Sequence, residues 1–346
     1  MSREPVSSGA SVELVGVVKC FGPVRAVDEV TLALPAGDIT ALLGPSGCGK
    51  TTTLRLVAGF EAPDAGEVRL AGITVAGTGT WVAPERRRVG MVFQQLALFP
   101  HLDVAANVAY GLHRRSRADR RARVTELLDL VDLAGYERRR PDQLSGGQAQ
   151  RVALARALAP GPEVVLLDEP FSSLDVSLRE EVRAEVRRIL KAAGTTALLV
   201  THDQDEALAL GDQVAVMLGG RLAQVGSPEE VYRRPASAAV AAFLGDTNLF
   251  SGMVTAGLLD TPVGRLALEG PAGVATGLVR PEDLELDEDP TGPGRVVDVV
   301  YYGHDQVVTV ALPGGSVVRA RLHARRRLAP GASVNVAARH AYRLPS

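Results

Sequence analysis

The chain has 346 residues, a formal net charge of −2 and 46% hydrophobic residues, enough for two domains with buried cores. Two cysteines exclude a disulfide scaffold, and the near-neutral charge gives no sign of a nucleic-acid partner. The polar residues 1–10 lack the apolar segment of a signal peptide and are predicted to be disordered. Since no apolar run approaches ~18 residues, we expect a cytoplasmic protein that reaches any membrane through a partner.

Strand and helix patterns alternate over residues 11–245 and predict an α/β domain with a mostly parallel sheet and an antiparallel part. A helical pattern over residues 96–160 predicts a helical subdomain inserted between two sheet segments. Helices at 228–234 and 238–244 are expected to close this domain. Past Gly245, frequent turns and short alternating segments predict a small all-β domain over 246–346.

A glycine-rich run follows the apolar residues 39–43, which are predicted to form a buried strand. It fits the phosphate-loop pattern G-x-x-x-x-G-K-S/T in the strand–loop–helix context that the motif needs. Glycines let backbone N–H groups point inward, and the helix N-terminus adds positive charge. Lys50 is predicted to reach the β- and γ-phosphates of a bound nucleotide, and Thr51 to ligate Mg²⁺. The predicted nucleotide-binding residues of the loop are Gly44, Pro45, Ser46, Gly47, Cys48, Gly49, Lys50, Thr51 and Thr52. For Cys48, the helix N-terminus is a setting that can lower the pKa of a thiol.

Two carboxylates follow the second apolar strand, at 164–167. Buried paired acids are costly, which favours a functional reason for Asp168 and Glu169. A strand that emerges beside the phosphate loop would deliver Asp168 to the Mg²⁺ shell. Glu169 is then placed to act as the general base for an attacking water.

The run Leu144-Ser-Gly-Gly-Gln148 precedes a predicted helix at 149–159. Ser145, Gly146, Gly147 and Gln148 are predicted to form a second phosphate-binding helix end, with an ordinary N-cap as the alternative. The phosphate loop, this LSGGQ run and the Leu-Leu-Asp-Glu-Pro run ending at Pro170 occur in this order. Together they resemble the nucleotide-binding subunit of an ABC transporter, and LSGGQ is specific to that superfamily.

The resemblance implies roles for further residues. Phe21 resembles the aromatic side chain that stacks on adenine, with core packing as the alternative. Gln94 resembles the Q-loop glutamine, which senses Mg²⁺ and the attacking water; the alternative is a polar residue at a strand end. Asp175 lies in a segment similar to the D-loop, Ser172-Ser-Leu-Asp175, and is also a candidate helix N-cap. His202 resembles the switch histidine, so Glu169, His202 and Gln94 form the implied catalytic set.

The resemblance also implies a homodimer in which ATP lies between the phosphate loop of one subunit and LSGGQ of the other. Closure would drive transmembrane permease subunits, which would hold the protein at the cytoplasmic face of the membrane. An extracytoplasmic solute-binding protein would deliver the cargo. The alternatives are an exporter ATPase and a soluble ABC ATPase acting on ribosomes or DNA. A single cassette with a β-rich tail disfavours both.

The C-terminal β-rich segment indicates which group of ABC transporter ATPases the chain resembles. Residues 278–285, Leu-Val-Arg-Pro-Glu-Asp-Leu-Glu, resemble the transport-associated OB-type (TOBE) domain of sugar, polyamine and ferric-iron importer ATPases. The run Tyr302-Gly-His-Asp305 is most similar to the ferric-iron and polyamine branches. This resemblance favours ferric iron as the cargo, with polyamine, sugar or another small solute as alternatives.

Overall fold

The structure is a computed structural model that describes residues 10–172 and 174–345. The chain divides after Pro228 into two units, each with its own hydrophobic core. Residues 1–9, which we predicted to be disordered, lie outside the described residues, as do Ser173 of the predicted D-loop and Ser346. Among the helices of the described ranges, none is long and apolar enough to cross a membrane.

The first unit alternates strands and helices, as the hydrophobic pattern predicts. Its strands are β1 (Ala10–Phe21), β2 (Val24–Pro35), β3 (Ile39–Leu43), β4 (Ala65–Leu70), β5 (Ile73–Gly77), β6 (Thr80–Trp81), β7 (Val89–Val92), β8 (Val164–Asp168), β9 (Thr196–Thr201), β10 (Gln213–Leu218) and β11 (Arg221–Gly226). Its α-helices are α1 (Lys50–Ala58), α2 (Val104–Ala109), α3 (Arg117–Leu130), α4 (Gly146–Leu158), α5 (Val176–Ala193) and α6 (Gln204–Leu210). Short 3-10 helices lie at Pro84–Arg86, Tyr110–Leu112 and Pro141–Gln143.

The central sheet has the strand order β11-β10-β3-β9-β8-β7 and is parallel from β10 to β7. Every residue of β3 and β9 is buried, which is typical of parallel strands covered on both faces. A second, antiparallel sheet has the order β2-β1-β4-β5-β6 and shares a hydrophobic core with the central sheet. The predicted α/β architecture is confirmed.

Neighbouring parallel strands end at the same edge of the central sheet. Leu43 at the end of β3 pairs with Thr201 of β9, and Val200 pairs with Asp168 of β8. On the outer side, Val92 of β7 pairs with Leu167 of β8. The loops that follow these four strands therefore emerge side by side, where open α/β sheets usually bind their ligands.

The segment between β7 and β8 carries α2, α3 and α4, in agreement with the helical pattern over 96–160. The first of these helices begins only at Val104, so residues 93–103 form a loop. The fully buried amide of Asn107 accepts from the backbone N–H of Phe99 and donates to the carbonyls of Phe99, Leu102 and Asp103. Because a buried amide needs such partners, Asn107 fixes the end of this loop.

Two short helices and a run of antiparallel strands follow. The helices are α7 (Pro228–Arg233) and α8 (Ala238–Phe243), and the strands are β12 (Asn248–Thr255), β13 (Leu258–Thr261), β14 (Gly264–Ala267), β15 (Gly273–Val279), β16 (Leu284–Glu288), β17 (Gly294–Tyr301), β18 (Asp305–Ala311), β19 (Val317–His323), β20 (Ser333–Ala338) and β21 (Tyr342–Leu344). They form two sheets, β14-β13-β12-β15-β21 and β16-β20-β17-β18-β19, around one apolar cluster. The predicted β-rich second domain is confirmed.

The division after Pro228 lies ahead of the boundary that we predicted near residue 245. Arg280 supplies the physical reason. Its guanidinium, on a residue 1% exposed, donates to the carbonyls of Tyr232 at 2.7 Å and Ala241 at 3.1 Å. It also stacks on the Tyr232 ring, with 4.1 Å to the centroid. A buried cation needs these acceptors, so both helices belong with the β-rich unit.

Candidate nucleotide site

The phosphate loop needs glycine at positions where the backbone approaches other chain segments closely. A Cβ on Gly49 would lie 2.1 Å from the carbonyl oxygen of Ala26, and Gly49 also has φ 104°. A Cβ on Gly44 would lie 2.2 Å from the carbonyl oxygen of Met217. Gly47, with φ 79°, supplies the left-handed turn between them. The loop therefore curls tightly from β3 into α1.

Lys50 is the first residue of α1, and its side chain turns back into the loop. Its ammonium is buried and donates to the carbonyls of Gly44 at 2.7 Å and Pro45 at 2.9 Å. The first N–H groups of a helix have no intrahelical acceptor, so those of Thr51 and Thr52 are available to an anion. Three further loop residues, Pro45, Ser46 and Gly47, are exposed. A cation and several donors thus converge where a phosphate can enter.

Cys48 corrects one expectation from the sequence. The residue is 5% exposed, and burial raises the pKa of its thiol above the ordinary value, although the charge of Lys50 partly offsets this. The helix N-terminus therefore does not produce a reactive thiolate here, because the cost of burying a charged sulfur outweighs the favourable dipole.

The two predicted acids lie at the end of β8. Glu169 has φ 43°, an uncommon conformation for a residue with a side chain, and its N–H donates to Val200 at 3.0 Å. The Glu169 carbonyl accepts hydrogen bonds from the N–H of Ser172 at 3.2 Å and its hydroxyl at 2.9 Å. This turn points the carboxylate at His202, whose Nδ1 lies 3.3 Å from Glu169 Oε1. The structure thus brings the predicted base and the predicted switch histidine together.

Asp168 is half-buried beside the phosphate loop. Burial is the main cause that raises the pKa of its carboxyl above the ordinary value, and the charge of Glu169 raises it further. Arg55, a hydrogen bond from the Thr51 hydroxyl and Lys50 lower it in part. Two of the three residues predicted at the magnesium site, Thr51 and Asp168, are therefore hydrogen-bonding neighbours, and Gln94 is the third.

Gln94 and Phe21 approach the site from two other elements. Gln94 is exposed two residues beyond β7, and β7 pairs with β8 through Val92 and Leu167, so Gln94 lies at the edge of the sheet where β8 also ends. Phe21 ends β1 and is 47% exposed, so it is not the core residue that we kept as the alternative. Its ring lies 5.4 Å from the Lys19 ammonium. The β1–β2 hairpin also carries Ala26, which touches the phosphate loop.

The LSGGQ run begins α4 with a capping box. The Ser145 hydroxyl accepts from the N–H of Gln148 at 3.3 Å, and the Gln148 side chain accepts from the N–H of Ser145 at 3.0 Å. Ser145 and Gly146 are exposed, whereas a Cβ on Gly147 would lie 2.9 Å from Val182 of α5. The N-cap alternative therefore holds for Ser145, and the exposed helix end still offers N–H groups to an anion.

Asp175 lies at the N-cap position of α5 and is exposed. In the described part of the chain its carboxylate makes no capping hydrogen bond to that helix. Its backbone carbonyl accepts from the N–H groups of Leu178 and Arg179. The carboxylate of this predicted D-loop residue is thus not used for capping α5.

A buried network beside His202 was missed by the sequence reasoning. Glu206 is 4% exposed and accepts from the hydroxyl of Thr201 at 2.5 Å and from Arg183 at 3.0 Å. Arg183 also contacts Asp203 at 3.0 Å, and Asp203 caps α6. The Asp-x-x-Glu spacing is a capping signal that could have revealed part of it. Arg183 comes from α5, and no local sequence pattern predicts its pairing with Asp203 and Glu206.

The side chains present fit a magnesium–nucleotide complex. Phosphate oxygens need N–H donors and a cation, which the loop and Lys50 provide. Mg²⁺ takes oxygen ligands and is usually held by one or two protein groups plus phosphates, which the Thr51 hydroxyl and the Asp168 carboxylate can supply. Charge repulsion between Asp168 and Glu169, visible in the raised pKa of Asp168, also favours a cation here.

Comparison with known proteins identifies two families in the chain. A family model described as ABC transporter matches residues 27–172, which contain the phosphate loop, LSGGQ and both acids. A second model, described as TOBE domain, matches residues 277–342 in the β-rich unit. Each match lies within one of the two units.

Three relatives illustrate the range of similar proteins. The chain is 49% identical over 335 residues to the Fe(3+) ions import ATP-binding protein FbpC 1 of Rhodococcus jostii (strain RHA1), with 94% of this chain and 96% of that protein covered. It is 46% identical to the spermidine/putrescine import ATP-binding protein PotA of Frankia alni, with 90% and 73% covered. It is 48% identical to the sulfate/thiosulfate import ATP-binding protein CysA of Caulobacter vibrioides, with 80% and 83% covered.

Solved structures match about two thirds of the chain. A dimeric ATP-binding cassette in a post-hydrolysis state with ADP and Pi matches with a TM-score of 0.54 at 32% identity, over 63% of this chain and 98% of that one. CbiO1 of Clostridium perfringens, part of an ABC transporter complex, matches with a TM-score of 0.59 at 27% identity, over 65% and 91%. The site geometry and these similarities lead to one conclusion: the chain belongs to the ABC transporter ATPases that carry a C-terminal TOBE domain.

Proposed function

We propose that two copies of this chain form the ATP-hydrolysing motor of a multisubunit importer. The observation that carries the proposal is the meeting of the phosphate loop, Asp168, Glu169 and His202 at one edge of the central sheet, with the last two 3.3 Å apart. The relatives named above support the direction of transport, since each is described as an import protein.

In this proposal the loop and Lys50 bind the β- and γ-phosphates of ATP, and Phe21 stacks on adenine. Thr51 and Asp168 hold Mg²⁺, which supplies neutralisation of the phosphate charge when bound. Glu169 accepts a proton from the attacking water, and His202 donates a hydrogen bond to the γ-phosphate. The remaining member of the set, Gln94, orients the water and senses the metal.

The second copy completes each site. The α4 N-terminus of one subunit, with Ser145, Gly146, Gly147 and Gln148, would bind the γ-phosphate held by the loop of the other. Asp175 would lie at the same interface. A similar solved cassette that is described as dimeric supports the pairing of two copies. Closure with ATP and reopening after hydrolysis would move the permease subunits, which hold the motor at the cytoplasmic face of the membrane.

Ferric iron is the cargo that we propose, delivered to the permease by an extracytoplasmic binding protein. Three Rhodococcus jostii proteins described as Fe(3+) ions import ATP-binding proteins support it, each 49% identical over 335 residues. Polyamine is the second candidate, because two spermidine/putrescine import proteins are 46% and 45% identical. The ranking rests on these relatives, since the nucleotide site binds ATP and not the cargo.

The test is uptake of radiolabelled ferric iron, spermidine and sulfate by cells that lack the protein. The cells are complemented with wild type, Lys50→Ala, Glu169→Gln or Glu163→Gln. Glu163 makes a matched control because it precedes β8 at the end away from the loop and pairs with Arg88 at 2.6 Å. Loss of a general base lowers hydrolysis about 10²-fold or more, so Glu169→Gln should not restore uptake.

Ferric-iron uptake restored by wild type and Glu163→Gln alone supports both the motor and the cargo. Unchanged iron uptake together with restored spermidine or sulfate uptake would replace the cargo and keep the motor. Full restoration by Lys50→Ala would remove the proposed nucleotide chemistry.

A further inference from the structure

The loop that carries Gln94 contains two strained residues in succession. Leu96 has φ 57° and Ala97 has φ 47°, and both are in the left-handed region that favours glycine. The N–H of Ala97 donates to Gln95 at 2.6 Å, which closes a three-residue turn around Leu96. A turn of this kind with positive φ at a residue other than glycine is rare and strained. Such conformations persist only where surrounding contacts hold them.

The guanidinium of Arg156 supplies that contact. Its two terminal nitrogens donate to the carbonyls of Leu96 at 2.7 Å and Ala97 at 2.6 Å. The same group lies 5.5 Å from the centroid of the Phe99 ring. A planar guanidinium can hold two neighbouring acceptors at once, which an ammonium does less well. Arg156 thus stabilises both strained residues through hydrogen bonds to their carbonyl groups.

The two ends of the loop are fixed elsewhere. It begins at the end of β7, where Val92 pairs with Leu167. It is fixed again at Phe99, whose backbone is bonded in both directions by the fully buried Asn107 of α2. Between these points lie Gln94 and the strained turn. The position of Gln94 therefore depends on whether the turn keeps its conformation.

We propose that Arg156 is a positioning residue for Gln94. It stabilises the strained turn at Leu96 and Ala97 and thereby fixes the loop that carries Gln94 at the edge of the sheet where β8 ends. Arg156 lies in the last turn of α4, about 16 Å from the LSGGQ end of that helix at 1.5 Å per residue. A shift of α4 when the second subunit engages is thus transmitted to the loop of Gln94. The inference rests on the proposed role of Gln94 in hydrolysis.

The full chain is purified as wild type, Arg156→Ala, Arg156→Lys, the double variant Arg156→Ala with Ala97→Gly, and Gln94→Ala. We expect Arg156→Ala to lower kcat about tenfold. Without the arginine, the cost of holding a residue other than glycine at positive φ reduces the population of the active loop conformation by about that factor. Magnesium-free ATP affinity should change by less than about twofold, because the phosphate loop is untouched. The Mg²⁺ concentration for half-maximal rate should rise, as it should in Gln94→Ala.

The double variant provides the sharpest readout. Glycine adopts positive φ without strain, so Ala97→Gly should return most of the lost rate although the arginine is still absent. Arg156→Lys should lie between wild type and alanine. Arg151→Ala is the matched control on the same helix, since Arg151 bonds Val131 and Glu185 away from this loop. Urea unfolding of each variant reports folding separately.

A kcat near wild type in Arg156→Ala overturns the proposal. So does a loss that Ala97→Gly leaves unchanged, or one that Arg151→Ala reproduces at equal stability. Absence of ATP hydrolysis by the wild type would instead overturn the proposed function. A Gln94→Ala variant as active as wild type would remove the role on which the inference rests.

Discussion

At the scale of single residues, the site combines groups whose burial is unfavourable without a ligand. Asp168 is half-buried beside Glu169, and burial raises the pKa of its carboxyl above the ordinary value of 3.8. Lys50 is buried among carbonyl oxygens of its own loop. The protein therefore carries charges that a magnesium–nucleotide complex would neutralise. These buried charges lower the stability of the nucleotide-free protein and favour the binding of the nucleotide.

Replacing Asp168 by asparagine should stabilise the nucleotide-free protein at neutral pH. A raised pKa means that the folded state holds its proton more tightly than the unfolded chain does. The contribution of the Asp168 carboxyl to stability is thus complete below pH 3.8 and is lost as the pH rises through the pKa of the folded state. Thermal unfolding of Asp168→Asn should show a higher Tm than wild type at pH ~7, and the difference should vanish as the pH falls towards 3.8.

Asp289 serves as a control of opposite sign. Hydrogen bonds from the backbone and hydroxyl of Thr291 and from Asn335 lower the pKa of its carboxyl. Asp289→Asn should therefore lower stability at neutral pH, with an effect that is lost as the pH falls. A pH-independent Tm gain in Asp168→Asn would show that burial of its charge is not the cause.

At the scale of elements, helix ends carry the chemistry and are not interchangeable. Both α3 and α4 are preceded by an N-cap serine whose hydroxyl accepts a hydrogen bond from a backbone N–H of the first turn. Ser116 accepts from Asp119, and Ser145 accepts from Gln148. Only the second is followed by glycines, one of which packs against Val182. Both serines cap their helices, and we assign the start of α4 in addition to the phosphate of a partner's ATP.

This difference predicts the behaviour of a trapped dimer. Glu169→Gln should bind ATP without hydrolysing it and form a dimer that light scattering detects. Adding Ser145→Glu should abolish that dimer, because a carboxylate would face the γ-phosphate. Adding Ser116→Glu makes the same change at the start of α3 and should leave the dimer intact. Equal dimerisation of both double variants would contradict the composite site.

At the scale of the whole molecule, the chain consists of two units that the structure separates after Pro228. The helices α7 and α8 hold the carbonyl acceptors of Arg280, a residue 1% exposed in the β-rich unit. A domain division drawn at residue 245 would remove those acceptors. The guanidinium would then keep only the carbonyl of Asp246, at 3.4 Å, among the acceptors named for it, which is costly for a buried charge.

Two fragments test this division. Residues 229–346 should unfold cooperatively in urea, and residues 246–346 should be less stable by about 3 kcal/mol, because a buried charge loses most of its acceptors. Circular dichroism at increasing urea concentrations measures both. Arg280→Met in the shorter fragment should recover part of the loss, because an apolar side chain needs no acceptors. Equal stability of the two fragments would place the boundary near 245.

Local patterns predicted what short segments determine. The strand Ile39–Leu43, the loop up to Lys50 and the strand that ends at Asp168 follow from apolar runs and glycine spacing. The hydrogen bonds that two arginines make to distant segments could not be predicted. Arg280 reaches carbonyls 48 and 39 residues away, and Arg156 reaches a loop 59 and 60 residues away. The pKa of Cys48 likewise depends on burial, which the motif does not encode.

The burial of Cys48 makes its thiol a probe of how often the phosphate loop opens. The chain has two cysteines, and Cys20 is partly exposed while Cys48 is buried in the phosphate loop. A thiol reagent should therefore modify Cys20 rapidly and Cys48 only when the loop opens. The slow phase would measure the frequency of that opening in the unaltered sequence, and ATP, by closing the loop over the sulfur, would stop it.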